Sequence, residues 1–230
     1  MNIRKIILFV FLSIVVLSCN SSKMINYRLS ENEISCFDSF FIAWKQNWLT
    51  NPQTQISSNT NDGKKLEEYP QLIAMGEKII PLIVAKLIVE ENFFALPLYD
   101  ELQKDENLKS KNTTGGEQGR ARETVANYMN AILKDEQLNK DELNLLGATV
   151  PFVAEKGESE TIFGFLPHAR IFTLDMKRKY ADIYLYVLEE LERSDVPVRI
   201  YLFPNSNDVA FVEMASKEEI QRYECSKVRE

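Results

Sequence analysis

Apolar residues change their spacing once along this chain, and that change limits what it can fold into. From Ser30 to about Asp135 they recur every three or four residues, the period of helices with one buried face. From Leu146 onward, β-branched and aromatic residues gather in short runs separated by turn residues, the texture of strands. The pattern predicts an α+β protein: an all-helical domain over residues 30–140, then an α+β domain over 141–230 in which one helix covers a small antiparallel sheet.

The helical part opens on a start signal. Ser30 and Glu33 have S-x-x-E spacing, which lets each side chain take an orphan amide of the first turn. The helix they begin carries Ile34, Phe37, Phe41, Trp44 and Trp48 on one face and stops near Asn51-Pro52. Such an aromatic stripe suits a helix docking on a core better than a carbohydrate platform. Residues 51–63 are polar and turn-rich, and read as a mobile loop. Gly76 then separates one helix from a second, Lys78 to Glu90, whose faces carry Ile79, Leu82, Ile83, Lys86 and Leu87. Pro81 fits its first turn, where no amide partner is lost. A third helix is predicted from Asn92 to Gln103, a loop over 105–119, and an amphipathic helix with Ala121, Val125, Tyr128, Met129, Ile132 and Leu133 inward. The series Gly76, Ile80, Pro81, Ile83 and Leu87 resembles a HEAT-type helical repeat over residues 66–103. That resemblance implies paired helices and no particular chemistry.

In the second part, strands are predicted near 148–154, 160–165 and 170–174, a helix over 177–193, and a hairpin of 197–203 with 209–214. A short helix, Lys217 to Tyr223, closes the chain.

The first residues carry a different message. Arg4 and Lys5 precede Ile6 to Leu17, an apolar run interrupted only by Ser13 and too short to span a bilayer. It ends Val16-Leu17-Ser18-Cys19, which resembles the lipobox of bacterial lipoproteins. The resemblance implies cleavage of residues 1–18 as a signal peptide, lipidation of Cys19, and residues 19–29 as a tether. Because Asn20 rather than an aspartate follows, it further implies the outer membrane, facing the periplasm. Loss of Arg4 and Lys5 takes the formal charge from −7 to −9. That balance argues against a nucleic-acid partner, which demands a basic footprint, and permits a basic protein.

Candidate chemistry is sparse. The single histidine, His168, lies in "GFLPHAR" and reads as a turn residue; as a general base it would need Glu158 or Glu160 to orient it across a hairpin. There is no C-x-x-C, no histidine cluster and no G-x-S-x-G, so neither a metal nor a cofactor is expected. Gly115 to Arg120 lacks the G-K-[ST] of a phosphate loop. Cys36 and Cys225 lie near opposite ends of the folded part and are candidates for one disulfide, or for two separate thiols. The reading favoured is a lipid-anchored envelope protein that binds another protein. The alternatives are an envelope hydrolase, or an inhibitor or immunity-type lipoprotein facing a basic partner. Because lipid on Cys19 is the only anchor invoked, Cys19→Ala is expected to move the protein from the membrane pellet to the soluble fraction. Retention of that variant in salt-washed membranes would contradict the lipobox reading.

Overall fold

A computed structural model describes residues 28–57, 59–112 and 114–227. Cys19, the signal segment and most of the tether lie outside the described residues. The tether's last two residues already belong to the fold: Leu29 is buried, and Arg28 pairs with Asp182 at 3.7 Å.

Helix α1, Glu31–Thr50, begins at the expected box. The Glu33 amide donates to Ser30 Oγ at 3.3 Å, and the Ser30 amide donates to Glu33 Oε2 at 2.9 Å. Lys78 bonds the same carboxylate, and that bond, then those from Ser30, hold the Glu33 pKa down to about 2. Its contribution to stability is therefore present at neutral pH and lost only as acid takes the pH below the ordinary carboxylate value towards 2. Phe37, Phe41, Trp44 and Trp48 are buried. The last three surround Phe94, with ring centroids 5.7, 4.9 and 5.6 Å away. The stripe is core.

The segment after α1 is built, not loose. Asn51 caps a short helix, α2 (Pro52–Gln55), and the Thr54 hydroxyl donates to the Trp48 carbonyl at 2.6 Å. Trp44 Nε1 donates to the Gly63 carbonyl at 3.0 Å, and a Cβ on Gly63 would stand 3.2 Å from the Trp44 ring. The polar residues that suggest a loop are spent on capping and on roofing two tryptophans. Three short helices follow: α3 (Tyr69–Ala74), α4 (Ile80–Leu87) and α5 (Leu96–Leu102). Gly76, at φ +76°, breaks the chain between α3 and α4. The predicted helix over Asn92 to Gln103 is two pieces, because a 3₁₀ turn, Glu90–Ala95, precedes the α-helix and Pro97 occupies its first turn. Helix α6, Gly116–Asp135, starts inside the predicted 105–119 loop. Asn112 Oδ1 accepts from the amides of Thr114 and Gly115 and turns the chain into it.

The strands are β1 (Asn144–Lys156), β2 (Glu160–Leu166), β3 (His168–Asp175), β4 (Val198–Leu202) and β5 (Val209–Met214), in the order β3-β2-β1-β4-β5 with every neighbour antiparallel. Strand β1 is longer than predicted because its two halves serve different partners, β4 first and β2 second. Irregularities at Leu145/Gly147 and Val153/Glu155, the first at a glycine with φ +107°, bend it. The bending curls the sheet until its edges meet. The Thr173 amide on β3 donates to the Asn207 carbonyl at 3.2 Å, and Thr173 forms a parallel bridge with Asp208. Helix α7, Ala181–Ser194, links β3 to β4 and packs on β1, and α8, Lys217–Lys227, opens on a second reciprocal box between Ser216 and Glu219.

The two halves share one buried cluster, running from Phe37 and Ile83 through Val187 to Phe165 and Phe211. At their junction lies a buried cation. Lys86 on α4, its side chain 8% exposed, has its Nζ 2.8 Å from Asp38 of α1 and 2.8 Å from Glu190 of α7. Arg193 joins the same two carboxylates at 3.3 and 2.9 Å. Removing one partner of a buried ion pair leaves the other charge desolvated and unmatched. Lys86→Met is therefore expected to cost about 3 kcal/mol in denaturant unfolding, and Glu190→Leu in that background to recover most of it. A cost below about 0.5 kcal/mol for the single change would mean the charges are solvated.

Candidate functional site

The structure separates the groups that the hydrolase reading needs together. His168 is the first residue of β3, directly after the β2–β3 turn, edge-on to Phe172 at 6.3 Å. It pairs with Phe165, whereas Glu160 pairs with Asp175 at the other end of the same hairpin. Six residues of strand, roughly 20 Å, therefore stand between His168 and both Glu160 and Glu158. The pocket that contains Arg170 includes none of the three. Cys36 on α1 and Cys225 on α8 are exposed and unbridged, so the structure does not join them. Among the described residues, no three His, Cys, Asp or Glu side chains are grouped so as to hold a metal ion, and no helix is long and apolar enough to cross a membrane.

What the structure does assemble is an outward sheet face. Cross-strand register places Val150 beside Leu166, then Phe152, Gly164 and Ile171 in one row across three strands, then Glu155, Ile162 and Thr173 in the next. Glu160 and Asp175 follow at the end. The opposite face of the same strands supplies Phe163, Phe165, Phe172 and Leu174 to the core. A solvated face next to such a core is normally polar. Here Phe152 is 42% exposed, Leu166 56% and Ile171 66%. Neighbouring large apolar side chains on an outer face mark an interaction site more often than chance exposure does.

The row is shaped by Gly164. A Cβ there would fall 1.9 Å from Phe152 Cζ, so the ring lies across the glycine. The far end of the sheet is held by Asp208, whose carboxyl is kept below its ordinary range by hydroxyl bonds from Ser206 and then Thr173. Both interactions depend on residues brought together by strand pairing. Only the glycine within an otherwise apolar strand hints at either in the sequence.

Two other charged clusters serve the fold. Arg178 donates to Glu136 at 2.7 Å and to the carbonyls of Val209 and Ala210, tying the end of α6 to β5. Glu213 is bonded by Lys140 and Tyr201, which offset the effect of its burial and leave its pKa lowered.

No family model matches the chain, and no curated protein matches it. Among solved structures it is similar to two crystal structures of pro-protein-glutaminase, one of them a mutant. Identity is 27% in both, over 36% of this chain and 30% of that one at a TM-score of 0.34, and for the mutant over 35% and 29% at 0.32. The chain thus spans less than a third of those proteins' length, and at such scores the likeness assigns it neither a fold nor an activity.

Gly164→Ala is expected to cost about 1–3 kcal/mol by overpacking against the Phe152 ring. With Phe152→Ala already in place, the same change should be neutral or stabilising, since alanine suits a strand better than glycine. Equal costs in both backgrounds, read by urea unfolding, would show that the ring does not rest on the glycine.

Proposed function

We propose that this chain is a lipid-anchored envelope protein, held through Cys19 in the outer membrane and facing the periplasm, that binds a protein partner through the outward face of β1, β2 and β3. The observation that carries the reading is the exposed row of Phe152 and Ile171 across Gly164, bordered at one end by Glu155, Glu160 and Asp175. An apolar centre beside a charged margin is the anatomy of a recognition patch: the centre supplies affinity, and the margin supplies approach and orientation. The acids fix the complementary chemistry. The partner presents apolar side chains next to lysine or arginine, and the net charge of −9 left after loss of Arg4 and Lys5 from the −7 of the full chain steers such a surface inward at low salt. A basic enzyme or toxin restrained by this protein is one form of that partner, which keeps the inhibitor reading within the proposal.

The test is a photoactivatable phenylalanine analogue at position 152 or 171 of the lipidated protein, irradiated in intact envelopes, with the exposed position 56 as control. The expected product is one adduct, formed from 152 and 171 but not 56, whose cross-linked peptide carries Lys or Arg beside apolar residues. It should weaken as salt rises. Adducts with phospholipid, with a second copy of this chain, or with an acidic peptide would each overturn the proposal.

A further inference from the structure

Where the two edges of the curled sheet meet, they leave a pocket of about 440 Å³. Leu145, Leu146 and Leu202 line it, joined by Asn144, by the β4–β5 loop residues Asn205, Ser206 and Asn207, and by Arg170 of β3. Its size is within the range of small-molecule sites. Its charge is unusual for this chain, which has 34 acidic residues against 27 lysines and arginines, because the lining holds a guanidinium and no carboxylate. Four arginines are matched, Arg120 with Asp100, Arg178 with Glu136, Arg193 with Glu190 and Arg199 with Glu219, while Arg122 has the Ala215 carbonyl and no ion pair among the described residues. Arg170 has no ion-pair partner among the described residues. Its guanidinium carbon stands 5.6 Å from the ring of buried Phe172, so its base is braced by the core.

The walls are set before anything binds. The amide of Thr173 holds the Asn207 carbonyl, Phe203 donates to Asp208, and Ser206 donates to Phe203 at 3.2 Å, with Asn205 in the left-handed region at φ +56°. A pocket that is already ordered loses less entropy on binding.

We infer that this pocket binds a carboxylate carried on an apolar, amide-bearing group: the C-terminal end of a peptide, or a free N-acylated amino acid. A guanidinium fork matches a carboxylate with two parallel hydrogen bonds. A phosphate dianion would call for a second cation, and the lining has none. A free α-ammonium would call for an acid, which is also missing from the lining, whereas an amide N–H can be accepted by the asparagine side-chain carbonyls. The leucines receive the apolar side chain. The pocket is distinct from the outward face and stands or falls separately from it.

Two-dimensional NMR titration of the full folded chain tests this with N-acetyl-leucine, with the tripeptide Ala-Ala-Leu bearing an acetylated amine and a free carboxylate, and with that tripeptide's C-terminal amide. Both carboxylates should shift resonances of 144–146, 170 and 202–207, and the amide should bind at least about tenfold more weakly. Arg170→Gln should weaken the carboxylates by a similar factor, with Arg170→Lys intermediate. A tripeptide well above N-acetyl-leucine in affinity supports a peptide end, and equal affinity supports a free acid. Equal binding of acid and amide, tighter binding of inorganic phosphate, or no saturation by ~10 mM would overturn the inference.

Discussion

Lys86 is the point through which the two halves of this protein are joined. Its ammonium is taken out of water among residues of α1, α4 and α7, and it is held there by Asp38 and Glu190 with the Phe41 ring 5.4 Å away. Glu190 lies 104 positions further along the chain, so the pair exists only when helical part and α+β part are both folded and docked. A buried ion pair contributes little net stability against an apolar replacement, but it penalises any arrangement that leaves one member unmatched. The surrounding cluster supplies the hydrophobic stabilisation, and the charges select one docking of α7 on α4. The sheet then has a fixed relation to the helices, and the outward face and the pocket both depend on that fixed sheet.

Much of this was legible in the residues because it is local. The S-x-x-E box and the aromatic stripe placed α1 to within a residue of its ends, and the turn residues separated five strands in the right sequence. Failures occurred where a residue's partner is distant. Residues 51–63 look like a loop until Trp44 and Trp48 are seen beneath Gly63. Lys86 is spaced with Ile79 and Ile83 on a buried stripe, which marks a lysine needing an acid, yet nothing nearby names Glu190. The curling of the sheet, and hence the pocket at Arg170, follows from bends in β1 and from Thr173 meeting the 207–208 turn, neither of which has a periodic signature.

The same distinction explains why His168 and the two glutamates do not form one site and why an apolar row does form elsewhere on the sheet. A histidine and two glutamates within ten residues look like neighbours in sequence, but a hairpin sends them to opposite ends. Conversely Phe152, Gly164 and Ile171 are scattered in sequence and adjacent in the sheet. The alternation that buries Phe163 and Phe165 obliges their neighbours to point outward, and those neighbours are apolar instead of polar.

Helices and sheet form one cooperative body around the shared core. Native-state hydrogen exchange measures this directly. The slowest amides of α4, α7 and β2 should exchange with a single opening free energy, equal to that of global unfolding. If the β2 amides instead exchanged through an opening several kcal/mol below that of α4, the halves would be independent and the account of a shared, Lys86-locked core would be wrong.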